Sequence, residues 1–231
     1  MANVQLTARD ERMLAWLESV RIADVEAVRF AMSALGGGGE PVVVRVAQRW
    51  VKRMEEAGYL GRARPAFQDS ALLWAAHGWT GKSAPSIHRQ TVRHDVAVAN
   101  ASARFLAAGY GWSIDPATGQ RDAHVADGAA WEGDRLDLVE VELTPKSEGR
   151  YKQIRQRFMY RLDTEPIGRV FYLGTPSALR AVQSTVVDSG MLDDDLRERF
   201  IFAPVFSERG IWAEQWTAPP AAALVTTEGG L

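Results

Sequence analysis

The chain lacks cysteine altogether, has only four histidines, and contains no long uninterrupted apolar run. Without cysteine it can form neither a disulfide nor a thiolate metal site, which fits a reducing compartment. No stretch of about 18 uncharged apolar residues is present, so no membrane-spanning helix and no membrane partner are expected. The N-terminal residues lack the apolar centre of a signal peptide, and a cytoplasmic location is therefore expected.

Charge is segregated along the chain, although the net charge is only −2. Residues 41–64 hold six Lys and Arg against two acids, and residues 146–161 hold six against one. Residues 122–142 carry seven acids and a single base. A local basic face can bind a polyanion even when the whole protein is slightly acidic. The pattern favours double-stranded DNA as a partner over a small-molecule substrate, and the alternative for each basic run is a solvated helix face.

Residues 1–80 show the pattern of a winged helix-turn-helix domain. Thr7 is a suitable N-cap for a first helix, and a second helix is expected to begin near Asp24. A third, basic helix over 41–57 ends at a glycine and leads into a hairpin with a strand over 71–75. Three helices followed by a hairpin are typical of this domain, whose third helix enters the major groove. The alternative is a small helical bundle.

The third helix carries an apolar stripe on one side and basic residues on the remaining surface. Basic side chains on this helix and in the following hairpin are therefore expected to contact DNA. These residues are Arg45, Arg49, Lys52, Arg53, Arg62 and Arg64.

The rest of the chain is predicted to form a linker over 81–86, an α/β domain over 87–206 and a tail over 207–231. After a helix over 87–108 the spacing of apolar residues changes to alternation, and the predicted order is α-β-β-β-α-β, extended by α-β. A hairpin followed by a helical crossover to another strand gives a mixed sheet with helices on both faces. The fold class is therefore α/β within this domain and α+β overall.

The third strand of that domain carries two carboxylates on one face. Glu140 and Glu142 are two residues apart in a run of Val and Leu, and the apolar residues fill the other face. Like charges repel unless a cation lies between them. Asp127 precedes this strand and a basic helix follows it, which is typical of a divalent metal site for a phosphodiester. The alternative is a solvent-facing edge strand.

This order of elements, with an acid on the second strand and two on the third, resembles the PD-(D/E)xK nuclease fold. Asp127 matches the first acid of that fold, and Glu140 or Glu142 matches the second. The resemblance implies a site for Mg²⁺ or Mn²⁺ with Asp127 and Glu142 as metal ligands. Glu140 would bind a second metal or hold the catalytic lysine.

The lysine of this fold is expected two residues beyond the second acid, where this chain has Thr144. By the same resemblance Lys146 or Lys152 would then orient or deprotonate the attacking water. Alternatively, the two glutamates pair with arginines of the following helix in a structural network. If the site is active, flanking phosphates would be bound by Arg150, Arg155 and Arg157.

Several short segments carry a second resemblance: Leu-Thr-Ala-Arg-Asp, Met-Glu-Glu-Ala-Gly-Tyr-Leu, Val-Arg-His-Asp-Val-Ala-Val and Val-Glu-Val-Glu. From about residue 6 to 179 the chain resembles the replication-relaxation family of actinobacterial plasmids and phages. The resemblance implies a DNA-binding protein of a mobile element, with a winged helix fused to a nuclease-like domain. The expected function is that of a metal-dependent DNA nuclease in replication, transfer or DNA processing. The alternative is a non-catalytic regulator or replication accessory factor. A homodimer is expected because winged-helix proteins often pair.

Overall fold

The computed structural model describes residues 5–65, 70–115, 125–186 and 193–213, and the protein is a mixed α/β protein. The chain divides into two compact units, Met1–Ile114 and Asp115–Leu231. No helix within the described ranges is long and apolar enough to cross a membrane. In chain order the elements are α1 (Ala8–Val20), β1 (Ala23–Asp24), α2 (Val25–Ala34), α3 (Val44–Glu56), β2 (Leu60–Ala63), β3 (Leu72–Ala75), α4 (His77–Thr80), α5 (Val92–Ala107), β4 (Gly111–Ser113), β5 (Gly128–Glu132), β6 (Arg135–Glu142), α6 (Glu148–Thr164), β7 (Ile167–Gly174), α7 (Pro176–Val186), α8 (Asp194–Glu198) and β8 (Phe200–Ala203).

The first unit packs helices around a core and adds a small antiparallel sheet with strand order β1-β3-β2. The predicted N-cap is confirmed, because Thr7 and Asp10 form a capping box at α1. The second helix begins beside Asp24 as expected, and the Asp24 side chain caps it. The inner face of α3 buries Trp50 and Met54 in the core. These local signals are strong because a cap satisfies amide groups that the first helical turn leaves without partners.

Helix α5 belongs to the first unit, although the sequence was expected to divide at 81–86. Its small residues Ala99 and Ala103 lie in the same buried cluster as the inner residues of α1, α2 and α3. Ser102 accepts a hydrogen bond from Trp16 Nε1 at 3.0 Å. Small side chains let α5 pack closely against its neighbours. The boundary between units therefore follows α5 and β4 instead of preceding α5.

A buried carboxylate joins α1 to α3. The Asp10 side chain accepts hydrogen bonds from Thr7, from Trp50 Nε1 at 2.9 Å and from Arg53 Nη2 at 2.5 Å. Burial raises the pKa of Asp10, but the hydrogen bonds from these groups outweigh it and lower the pKa from 3.8 to about 2. The charged form of Asp10 thus holds α3 against the start of α1.

In the second unit the strands lie in the order β5-β6-β7-β8. β5 is antiparallel to β6, whereas β6, β7 and β8 are parallel, so the predicted mixed sheet is confirmed. Helices α6 and α7 cover one face, where Phe158 and Val182 pack in one cluster with Leu138 and Tyr172. The predicted hairpin turn between β5 and β6 is confirmed, with Gly133 at φ +59. The start of the predicted second strand, at residue 124, lies outside the described residues.

We expect Asp10→Asn to destabilise the protein by about 2 kcal/mol near neutral pH, because the neutral amide loses the charge-assisted bonds to Trp50 and Arg53. The pKa of Asp10 is lower in the folded state, so its contribution is present above pH ~4 and disappears as the pH falls towards ~2. Urea unfolding of both proteins across this range measures the difference. Asp163→Asn, at an exposed carboxylate, is the control, and a difference that stays constant with pH would contradict the assignment.

Candidate functional site

The two glutamates lie on a central strand of the second unit. β6 has β5 on one side and β7 on the other, so the alternative of an edge strand is wrong. Glu140 and Glu142 are each only 4% exposed. Val139 and Val141, on the opposite face of β6, are fully buried, as predicted. Two carboxylates on one face of a buried strand require a nearby positive charge or shared protons to be tolerated.

Lys146 is positioned to supply that positive charge. Its Nζ contacts Glu142 Oε2 and lies 3.8 Å from Glu140 Oε1. The Lys146 backbone amide donates to the Tyr151 hydroxyl at 2.8 Å, which anchors the lysine just before α6 begins. About a third of its side chain remains exposed to solvent. Of the two lysines predicted for this role, the structure therefore places Lys146 at the carboxylate pair.

The other predicted basic residues of this region lie on α6. Lys152 forms an exposed ion pair with Glu148 at 2.5 Å, one turn away along the helix. Arg150 is exposed and Arg157 is half-buried. Arg155 is buried and donates to a backbone carbonyl of α7 at 3.0 Å. Arg150 and Lys152 are exposed and can contact a ligand from solvent. Arg155 links α6 to α7.

Asp127 reaches the same part of β6 from the segment before β5. Its Oδ2 accepts a hydrogen bond at 2.8 Å from the amide of Val141, the residue between the two glutamates. Asp115 fixes this segment, because its Oδ2 accepts from the Ala126 amide at 2.8 Å. Arg161 holds Asp115 through two contacts of 2.5 and 3.0 Å. The structure thus brings Asp127 to the strand of the carboxylate pair.

Two tyrosines that the sequence did not single out lie beside the pair. Tyr172 is opposite Glu140 in the register of β6 and β7 and is fully buried. Burial raises the pKa of Tyr172 well above 10, and the charges of Glu140 and Glu142 raise it further. Its hydroxyl has no hydrogen-bond partner within the described part of the chain.

Tyr151 has a different environment, although it also lies close to the glutamates. Burial raises its pKa to about 12 and the glutamate charges add to this shift, while the bond from Lys146 opposes it. Both tyrosines therefore keep their hydroxyl protons and can donate hydrogen bonds near the carboxylates. Only the strand register and the packing of α6 identify them, since nothing in their spacing relates them to the acids.

The donor set is chemically suited to a divalent cation. Mg²⁺ and Mn²⁺ prefer carboxylate oxygens, and Asp127, Glu140 and Glu142 offer them. Among the described residues, however, no three His, Asp or Glu side chains form a ready group for a metal ion. Both predicted ligands are engaged, Asp127 by the Val141 amide and Glu142 by Lys146. A cation at Glu142 would thus compete with the lysine.

In the first unit a separate basic surface lies on α3. Arg45, Arg49 and Lys52 are exposed and follow one another at the spacing of a single helix face. Arg45 and Arg49 have no ion-pair partner within the described ranges. The Lys52 ammonium group lies 3.7 Å from a carboxylate oxygen of Glu56. We call these three residues the α3 basic face.

The remaining predicted DNA contacts lie around that face. Arg53 pairs with the buried Asp10, which commits it to holding α3 in place. Arg62, on β2, is exposed and lies 3.9 Å from Glu55. Arg64 follows β2 and is also exposed. Five of the six predicted side chains are therefore exposed at the surface.

Comparison of the chain with protein-family models, with curated proteins and with solved structures returned no match.

We expect Tyr172→Phe to raise the free energy of unfolding by about 1 kcal/mol, because the substitution removes a buried hydroxyl that has no hydrogen-bond partner among the described residues. The stacked contact with Phe202, with ring centroids 5.4 Å apart, is retained. Urea unfolding measures the change, and Tyr160→Phe on the exposed side of α6 is the matched control. A loss of stability in Tyr172→Phe would show that the hydroxyl has a partner after all.

Proposed function

We propose that this protein binds double-stranded DNA through the α3 basic face. The main observation behind this proposal is the exposed face that Arg45, Arg49 and Lys52 share on α3 of the first unit. Three positive charges at helical spacing can contact phosphates on either side of a groove. The element order α1-β1-α2-α3-β2-β3, with its three-stranded antiparallel sheet, supports a winged helix-turn-helix domain.

The same helix offers groups that could read bases. Gln48 is exposed between Arg45 and Arg49, and its amide can pair with an adenine edge. Val43 and Val44, at the start of α3, are 65% and 43% exposed, which is unusual for valine and suits contact with a thymine methyl group. The link from Asp10 to Trp50 and Arg53 holds the helix rigid, so that little order is lost on binding.

A second activity proposed for the protein is metal-dependent cleavage of DNA in the second unit. The observation that favours it is the convergence of Asp127, the buried Glu140–Glu142 pair and Lys146 on one stretch of β6. A bound Mg²⁺ or Mn²⁺ would polarise a phosphate and lower the pKa of a bound water. The carboxylates would hold the cation, and Lys146 would stabilise negative charge on the phosphate oxygens. The order of strands and α6 supports a PD-(D/E)xK-like domain.

The non-catalytic alternative has an observation of its own. Lys146 contacts Glu142 directly, as in a structural ion pair, and Lys152 is engaged by Glu148. On that reading the protein is a transcriptional regulator or replication accessory factor. In either form we propose that it serves a mobile element such as an actinobacterial plasmid or phage, as the resemblance to the replication-relaxation family implies. Pairing of two copies stays a prediction.

We expect the double variant Arg45→Ala, Arg49→Ala to bind duplex DNA more weakly at every salt concentration. The slope of log K against log salt should fall in magnitude by about 2, because two phosphate contacts and their released counterions are lost. Fluorescence anisotropy with a labelled duplex over a range of sodium chloride concentrations measures both quantities.

The matched control is the double variant Arg12→Ala, Lys82→Ala, which removes two exposed charges of the same unit outside α3. We expect it to keep the wild-type slope. An equal loss in both double variants would mean that net charge, and not the α3 basic face, governs binding.

We expect the protein to nick supercoiled plasmid in the presence of Mg²⁺ or Mn²⁺. Asp127→Asn and Glu142→Gln should each slow nicking by at least roughly a hundredfold, since each removes a carboxylate charge that would hold the cation. Asn at 127 keeps an oxygen that can accept from the Val141 amide, so the strand geometry is preserved. Agarose-gel conversion of supercoiled to open-circular DNA gives the rates.

Asp163→Asn, an exposed carboxylate on α6, should nick at the wild-type rate. Absence of nicking by the wild type with either cation, together with intact DNA binding, would reject the nuclease and favour the non-catalytic regulator.

A further inference from the structure

A cleft of about 570 Å³ opens between the start of α6 and the end of α7. Its lining includes three basic side chains and three hydroxyl groups, from Lys146, Tyr151, Lys152, Arg155, Ser184 and Thr185. The one acid in the lining, Glu148, is already paired with Lys152. The volume is in the range of pockets that hold small organic ligands.

The chemistry of this lining selects an anion with several acceptor oxygens. The lysine and arginine groups are hydrogen-bond donors that match phosphate oxygens, whereas the hydroxyls of Ser184 and Thr185 donate to the Ala181 carbonyl. The first turn of α6, which begins after the N-cap Ser147, adds the positive end of a 17-residue helix. Both features fit a phosphodiester group.

Lys146 belongs to this cleft and to the carboxylate pair at once. Its side chain lines the cleft, while its Nζ contacts Glu142 and lies 3.8 Å from Glu140. A phosphate in the cleft would offer the ammonium group a second, more exposed anion. If Nζ moved to it, two nearly buried carboxylates would lose their bridging cation, and their mutual repulsion would favour uptake of another.

A second observation, independent of the cleft, concerns a buried hydroxyl group beside the carboxylate pair. The Tyr172 hydroxyl, fully buried and close enough to both glutamates for their charges to raise its pKa, has no hydrogen-bond partner within the described residues. A hydroxyl in this position can bond a water or a carboxylate that shifts when a ligand enters.

We propose that the cleft binds a phosphodiester of a nucleic-acid strand, and that this binding releases the glutamates from Lys146 and so strengthens divalent-cation binding at Glu140 and Glu142. This inference deepens the nuclease proposed above and rests on it for the identity of the strand. Because coupling between two ligands is reciprocal, the cation must strengthen phosphodiester binding by the same factor.

The test measures Mn²⁺ binding to the full chain by titration calorimetry, with and without the dinucleotide TpT. TpT carries one phosphodiester and is too short to form a duplex for α3. We expect it to tighten Mn²⁺ binding about fivefold or more. A TpT analogue with a neutral methylphosphonate linkage, which has the same bases, should leave Mn²⁺ binding unchanged.

Three variants locate the effect. Lys146→Met should tighten Mn²⁺ binding without TpT and abolish the enhancement by TpT, because no ammonium group then competes for Glu142. Lys152→Gln should reduce the enhancement by weakening TpT binding. Arg180→Gln, which removes a charge from the exposed side of α7 outside the cleft, should retain the wild-type enhancement.

Equal Mn²⁺ affinity with and without TpT in the wild type would overturn the proposal, and so would an enhancement that survives in Lys146→Met. An equal enhancement by the methylphosphonate analogue would show that the bases, and not the phosphate, are bound. These outcomes are separable from those for the proposed nuclease, because plasmid nicking can fail while Mn²⁺ and TpT remain coupled, or occur without this coupling.

Discussion

The structure of the second unit around β6 and α6 depends on one lysine that compensates two buried carboxylates. Glu140 and Glu142 are nearly inaccessible on a central strand, where charged groups are tolerated only with compensation. Lys146 provides it from the turn between β6 and α6, and the Tyr151 hydroxyl holds the lysine backbone. This requirement links the end of the strand to the first turn of α6, and therefore to the cleft that α6 forms with α7. Replacing Lys146 would remove this compensation from both glutamates.

Each unit uses a buried carboxylate to position residues that we propose to act on DNA. In the first unit Asp10 accepts from Trp50 and Arg53 and so aligns α3, whose opposite face is basic. In the second unit Asp115, held by Arg161, fixes the segment that brings Asp127 to β6. Asp10 and Asp115 are thus structural: Asp10 positions the basic helix proposed to contact DNA, and Asp115 positions Asp127, which is proposed to hold a cation. Such supporting contacts restrict the positions that the side chains of a site can take before a ligand binds.

Local signals account for the parts of the fold that were predicted correctly. The N-cap Thr7, the start of α2 near Asp24, the hairpin between β5 and β6 and the alternation along β6 each depend on residues close in sequence, and the structure confirms them. The predicted division at 81–86 differs from the observed boundary, which follows Ile114. The glycine and proline near it mark a local break, but whether α5 packs with the preceding helices depends on distant side chains such as Trp16 and Ser102.

For the candidate site, the sequence by itself determined that Glu140 and Glu142 share one face of a strand, because side chains alternate with a period of two. It also determined that basic residues follow that strand and occupy one side of α3. Only the tertiary structure decided that β6 is central, that Lys146 and not Lys152 meets the glutamates, and that Tyr172 lies opposite Glu140. Strand order and register are set by packing between distant segments, and spacing along one segment carries no information about them.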